Sequence, residues 1–441
     1  PVAVPYAAGL VDLTGDGRAD LVGCWNYAYR PGDPWDGIVC YPRVGSGATW
    51  EFGDLLRVRH GELADAAGGA HFTHTYMGVD FADFDRDGRV DLVWTRRGSD
   101  TAVFFLQAGT RDAAGVPRFT SSDAVPVCGW EACRAVDLNA DGNWDLVVDG
   151  QYIENLNPAG WPFRPAAPVP LRAGRQPCFL DVDQDGRLDA VCLQGEANPL
   201  PDVVRVAWRQ NLRGDPPAFG AAQPLPGLDI AGCTSVAAAW DDGRHILLVQ
   251  HDVYQCLSLF ELVSAVGQTP RFERIGRAES KSAVLCLGDQ AWPCVCDWNG
   301  DGQLDLLVGD GYGWPRIVVN EGTTQRPSYA EPRKIHCENG PLRLLRSEIL
   351  GPPFHPHNMG YPYPVFTRWD DDVLPDLMCP NETNRIFWSR NAQEYENQPE
   401  HSGTGAEPLL GAARQIIVEG FSDSPAARAT SARRALEATY P

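Results

Sequence analysis

The stretch DVDQDGRLD, residues 181 to 189, decides how the rest of the chain is read. Asp181, Asp183 and Asp185 place a carboxylate at every second position, Gly186 permits a sharp turn, and Asp189 closes the loop. A hard cation such as Ca²⁺ takes roughly six to eight oxygens, and alternating Asp or Asn in a tight turn supplies them together with a main-chain carbonyl at the seventh position. The same spacing recurs as DLTGDGRAD, DFDRDGRVD, DLNADGNWD and DWNGDGQLD. The expected calcium ligands are therefore Asp12, Thr14, Asp16 and Asp20; Asp83, Asp85, Asp87 and Asp91; Asp137, Asn139, Asp141 and Asp145; Asp181, Asp183, Asp185 and Asp189; and Asp297, Asn299, Asp301 and Asp305. One such match could be an Asx-rich turn; five in register point to a repeated cation loop.

The flanks identify the host. FLDVD leads into LDAVC around Asp181, and VCDWN into LDLLVGDG around Asp297. Two apolar runs joined by a fixed turn read as a β-hairpin. A helix would follow the loop in an EF-hand, whereas here the residues after the closing Asp alternate as in a strand, so that reading is excluded.

Two degraded copies complete the series. In AAWDDGRHI, residues 238 to 246, Ala238, Trp240 and Ile246 replace three ligands, and in RWDDDVLPD, residues 368 to 376, Arg368 stands where the first Asp belongs. Neither is expected to hold a metal. Seven units, each long enough for four strands, predict an all-β, seven-bladed β-propeller over residues 1–421. Ser424 and Pro425 suit the start of a short helix in the remaining tail, 422–441. The links between third and fourth strands echo one another: WRQNLRGDPPAFGAAQPL at 208–225 resembles IVVNEGTTQRPSYAEPRKI at 317–335.

Charge and composition narrow the function classes. The net charge of −21 lies largely in the ion loops, so it does not argue against an anionic substrate. No basic stripe suggests nucleic acid, and no run reaches the apolar length of a membrane span. Pro1 does not open a signal peptide, which reads as a processed or trimmed chain. Millimolar calcium outside cells favours a secreted or periplasmic location. The 13 cysteines are odd in number, and Cys178, Cys192 and Cys294 fall inside apparent strands as small core residues. The chain is expected to be a monomer.

With the order strand, ion loop, strand, strand, strand, the ion loops share one face of the propeller and the ligand site is expected on the other. That face offers Asn26, Tyr27, Tyr29 and Arg30 in the first unit, then His71, His74 and Tyr76 before the second. Arg96 and Arg97 follow in the second unit, Tyr152, Arg172 and Arg175 around the third, Tyr254 in the fifth, and Tyr312 and Trp314 in the sixth. The 336–364 link brings Arg343, Arg346 and Tyr361. Acidic residues on these links are few, with Glu131, Asp252 and Glu382 the main ones. The substrate-binding set expected here is Asn26, Tyr27, Tyr76, Arg96, Arg97, Tyr254, Tyr312 and Tyr361. His251, His336, Cys337, His355 and His357 carry the donor types of a structural Zn²⁺ site, although their spacing matches no fixed motif.

The repeated loops and flanking strands resemble FG-GAP/VCBS propeller repeats, and the resemblance covers essentially the whole chain. Seven blades with His before the second unit, Tyr in the third and Arg before the fourth look like the ulvan lyases and related rhamnose–glucuronate lyases and hydrolases. The resemblance implies a polysaccharide lyase that cuts a uronate-containing glycan by β-elimination. It assigns His71 or His74 and Tyr152 to proton transfer and Arg175 to neutralising the uronate carboxylate. Where those lyases can show a second His in the second unit, this chain has Arg96 and Arg97. Structural zinc also occurs in some of them. A carbohydrate-binding lectin or adhesion propeller and a glycoside hydrolase are the alternatives; the unequal links argue for one asymmetric site, and the lack of a carboxylate pair argues against ordinary hydrolysis.

Overall fold

Each ion loop joins two strands whose apolar residues face opposite ways, and this dictates sheets buried on both sides. In a computed structural model, all residues are described except 1–5, 25–37, 46–49, 59–76, 97–99, 114, 129–132, 196–203, 215–216, 231, 242, 252–256, 281–291, 338–339, 347–359, 368–374, 382–385, 390–414 and 419–441. The described elements are strands and turns, and no helix among them is long and apolar enough to cross a membrane. The chain divides into two compact units, Pro1–Glu196 with Pro201–Leu285, and Ala197–Leu200 with Cys286–Pro441.

The first unit holds five antiparallel sheets. Sheet one runs Tyr6–Val11, Asp20–Cys24, Ile38–Tyr41 and Leu56–Val58. Sheet two runs Met77–Ala82, Asp91–Arg96 and Thr101–Arg111, and the last of these also pairs with Pro117–Ser121 and Val125–Pro126. Sheet three is Cys133–Val136, Asp145–Val148, Gln151–Ile153 and Val169–Pro170; sheet four is Arg175–Leu180, Asp189–Gln194, Arg205–Arg209 and Gln223–Pro224. Sheet five is Cys233–Asp241, Arg244–His251, Leu257–Leu262 and Phe272–Arg277. The opening strands of successive sheets are neighbours, and that of sheet five lies against that of sheet one, so the five sheets close into a ring.

In the second unit, sheet six is Trp292–Cys296, Asp305–Gly309, Pro315–Val318 and Arg333–Lys334, and sheet seven is Val365–Thr367, Asp376–Pro380, Ile386–Ser389 and Gln415–Val418. One sheet thus follows from each of the seven sequence units. In the first unit five sheets close into a ring, and sheets six and seven belong to the second unit. Contacts between sheets one and five close that ring. Arg43 Nη1 lies 2.9 Å from Asp241 Oδ2, both nearly inaccessible to solvent, and Glu51–Phe52 pairs in parallel with Glu279–Ser280. The expected propeller boundary at 421 falls outside the described residues.

The core sits between sheets. Leu92 and Trp94 pack with Leu13, Val22 and Ile38 from sheet one, while the intervening Val93 packs with Phe104, Leu146 and Phe163 toward sheet three. A strand buried on both faces needs a continuous apolar run, which is why Asp91 is followed by Leu-Val-Trp. Phe104 anchors the second interface, edge-on to Phe84 with centroids 4.9 Å apart and stacked on Phe163 at 5.1 Å.

Candidate functional site

The five intact loops share one backbone path. Their fourth residues, Gly15, Arg86, Ala140, Gln184 and Gly300, all have φ between 58° and 77°, and their sixth residues are glycines with φ from 82° to 87°. These left-handed positions turn main-chain N–H groups inward onto the first Asp. Asp83 accepts Asp87 N at 3.0 Å and Gly88 N at 2.9 Å, and Asp181 accepts Asp185 N and Gly186 N at 2.9 Å each. Asp12 and Asp137 repeat the pattern. Asp297 keeps only the second of these bonds, and its buried Oδ1 has no hydrogen-bond partner.

Carboxylate oxygens of Asp83, Asp85 and Asp91 lie within 4.8 Å of one another, as do those of Asp181, Asp183 and Asp189. The spacing expected from the sequence is therefore realised in both loops, and the orphaned Asp297 oxygen is a further acceptor that a cation would satisfy. The donor set is all oxygen, which suits a hard cation. Burial, then the neighbouring Asp83 carboxylate, raises Asp85. The fifth residue takes a local cation: Arg89 pairs with Asp87 and Arg187 with Asp185.

The ninth residue has a role that the spacing does not reveal. Asp20, Asp91, Asp145, Asp189 and Asp305 are fully or almost fully buried. Each carboxylate accepts a main-chain N–H on or just after the third strand of its sheet. Asp91 accepts Phe84 N at 2.9 Å and Gln107 N at 2.8 Å, Asp189 accepts Val182 N at 3.1 Å and Asn211 N at 2.8 Å, and Asp305 accepts Trp298 N at 2.9 Å and Asn320 N at 2.8 Å. The matched links noted in the sequence each begin with this bond, because Asn211 and Asn320 occupy equivalent places in sheets four and six. Desolvation pushes Asp91 and Asp189 up to about 6 and Asp145 up to about 7.

A prediction follows for the cation-free protein. These folded-state values exceed the unfolded 3.8, so between roughly pH 4 and 7 the folded chain holds more protons than the unfolded one. Thermal melts in chelator should show stability rising as pH falls from about 8 to about 5.5, by several degrees. A Tm that falls over this interval would contradict the burial assigned to these carboxylates.

In the fifth copy, guanidinium groups contact the carboxylate at the fourth position. Asp241 meets Arg43 at 2.9 Å and Arg244 at 2.8 Å. Trp240, in the position of the second ligand, is 66% exposed and edge-on to His245. In the seventh copy Arg368 lies outside the described residues, and Asp376 is fully buried.

The catalytic face expected from the sequence is described only in part. His71, His74, Asn26, Tyr27, Tyr76, Arg97 and Tyr254 lie outside the described residues. Arg96 ends the second strand of sheet two, with its backbone alone described. Tyr152 requires a correction. It is 2% exposed, and its hydroxyl donates to Asp145 Oδ2 at 2.6 Å. In the other four loops the corresponding oxygen accepts a main-chain N–H of the loop, so Tyr152 completes the hub of sheet three and has no access to substrate. Burial, followed by this bond to Asp145, raises its pKa.

Arg175 is exposed at the start of sheet four, with Arg172 just before it and Arg205 on the third strand of the same end. The pairing of Arg175–Leu180 shifts register between Arg175 and Cys178, where Gln176 takes φ 47°. Irregularities between Tyr6 and Gly9 and between Cys233 and Ser235 fall at the same end of sheets one and five. Bulges at one rim re-aim side chains there and are common beside functional sites.

Tyr312 and Tyr361 belong to the second unit and are half-buried; Arg343 Nε donates to the Tyr312 carbonyl at 3.1 Å. Of the expected zinc donors, the side chains of His251 and His336 are among the described residues, one in each unit. His251, in the first unit, has Nε2 3.0 Å from Ser258 Oγ; His336 is buried in the second. The Cys337 side chain, His355 and His357 lie outside the described residues.

Comparison with known proteins agrees with the repeat. The FG-GAP-like repeat family matches residues 83–148, which span loops two and three. No curated protein matches the chain. Among solved structures, an Agrocybe aegerita lectin that recognises non-reducing terminal N-acetylglucosamine is 15% identical over 76% of this chain and 80% of its own, with a TM-score of 0.34. An exo-β-1,3-galactanase from Clostridium thermocellum is 10% identical over 89% and 87%, with a TM-score of 0.38. At these scores the likenesses carry no argument about activity. The family match and the four-stranded sheets together describe an all-β chain of propeller type that contains an FG-GAP-like repeat.

Proposed function

We propose that the chain is a carbohydrate-active propeller that takes an acidic, uronate-bearing polysaccharide at the ring end away from the ion loops and cleaves it by β-elimination. The observation that carries this is the exposed arginine group Arg172, Arg175 and Arg205 at one end of sheet four, in a chain of net charge −21. A guanidinium can bind a carboxylate through two parallel hydrogen bonds, and this recognition favours uronate over neutral sugar.

Chemically, Arg175 neutralises the uronate carboxylate and thereby acidifies the proton on the adjacent carbon. A base removes that proton, its electron pair forms the C4=C5 double bond, and the C4–O bond breaks with protonation of the departing oxygen. His71 or His74 remains the base in this reading. Tyr152 is withdrawn from it, and the donor to the leaving oxygen is left to a group outside the described residues. Calcium in the five intact loops would be structural, holding the hairpins through Asp83, Asp85, Asp181, Asp183 and their equivalents. A compartment with millimolar calcium, as outside the cell, suits that role.

The test is incubation with a panel of uronate-containing glycans, read by ultraviolet absorbance of the new double bond. Arg175→Ala should lower turnover roughly a hundredfold or more with the fold intact. Cleavage without the absorbance would point to a hydrolase, and binding without cleavage to a lectin. Full activity in Arg175→Ala would remove the arginine from its role.

A further inference from the structure

We infer that Arg86 couples cation binding in loop two to cation binding in loop three, so that the two loops fill cooperatively. This rests on the reading that both loops hold a hard cation. Arg86 is the fourth residue of DFDRDGRVD, flanked by the ligand positions Asp85 and Asp87, with φ 61°. Its side chain leaves its own loop. Nη2 donates to the Gly142 carbonyl and, at 2.6 Å, to Asn143 Oδ1. Gly142 and Asn143 are the sixth and seventh residues of loop three, and the seventh supplies its main-chain carbonyl to a cation in loops of this spacing.

The path across the sheets is open because of Gly160. A Cβ there would sit 3.2 Å from Arg86 Nε and 3.4 Å from the Phe84 carbonyl, closer than ordinary contact. Asn143 is buried, so its amide oxygen has few alternatives to the guanidinium. Ordering loop two around a cation fixes the backbone on both sides of Arg86, and the fixed guanidinium holds the Gly142–Asn143 corner in place. Linkage makes the effect reciprocal: loop three, once filled, favours loop two by the same factor. The other intact loops lack this device. Their fourth residues are Gly15, Ala140 and Gly300, which cannot reach, and Gln184, which donates to the Ser264 carbonyl in a sheet whose loop lacks the ligands.

Terbium is a suitable probe because loop three carries its own indole, Trp144, whose excitation can sensitise the ion. The measurement uses the full chain freed of metal, in a Trp298→Phe background that removes the indole of loop six. Asp85→Ala, which removes a ligand oxygen from loop two, should weaken terbium binding at loop three at least threefold. In an Arg86→Ala background the same Asp85→Ala change should have no further effect. Equal effects in the two backgrounds, or none in either, would overturn the coupling while leaving the cation reading in place. Absence of terbium luminescence in the parent would overturn both. Arg86→Lys provides the control for charge alone: it should resemble Arg86→Ala, since a flexible ammonium is not held in the plane that aims one guanidinium nitrogen at both acceptors.

Discussion

Asp91→Ala is expected to destabilise the protein by about 3–5 kcal/mol, a loss large enough to unfold many domains. The residue is fully buried, and its two oxygens accept Phe84 N and Gln107 N from different segments. Removing the carboxylate leaves two buried N–H groups without acceptors, each costing about 1–3 kcal/mol. It also leaves a void at the junction of the loop and the third strand. Asp91→Asn retains one acceptor oxygen and should cost less than the alanine. Denaturant melts in chelator separate this effect from any cation, because the two hydrogen bonds need none. If the alanine variant melts within about 0.5 kcal/mol of the parent, Asp91 serves only as a ligand and the hub is wrong.

Arg43→Ala should cost about 3 kcal/mol or more and should act specifically on ring closure. Arg43 and Asp241 are 3% and 8% exposed, and the ion pair joins sheet one to sheet five. The guanidinium also lies 3.9 Å from the Trp50 ring centroid. Deleting it strands a carboxylate that is nearly inaccessible to water, with Arg244 as the remaining cation. The double variant Arg43→Met, Asp241→Leu removes both charges and should recover most of the stability, as paired apolar replacements often do. Hydrogen exchange should locate the damage, with protection lost first in Tyr6–Val11 and Cys233–Asp241. Uniform loss of protection throughout the first unit would show that closure is not the weak point.

The sites differ in how much of them the chain alone reveals. The loop spacing was sufficient for the hairpins, the left-handed turn positions and the clustering of Asp83 with Asp85 or Asp181 with Asp183, because all these groups lie within nine residues of one another. What spacing could not reveal is the second role of the ninth Asp, since Gln107 and Asn211 arrive from 16 and 22 residues away to bond its oxygens. Tyr152 was misplaced for the same reason. A tyrosine after a turn looks like a rim residue until Asp145, seven residues earlier but on the adjacent strand, is seen to receive its hydroxyl.

The sequence by itself determined the all-β class, the seven sheets and the two copies that lack the oxygens, since these are matters of local pattern and residue type. Tertiary structure decided how many sheets close together and which charged groups serve the fold. Closure depends on Arg43 reaching Asp241 across almost 200 positions of chain, and Arg86 reaches Gly142 from the neighbouring loop. Such pairings arise only when sheets pack. A buried charge must then find its partner or lose several kcal/mol, and which partner comes within reach is a property of the packed sheets.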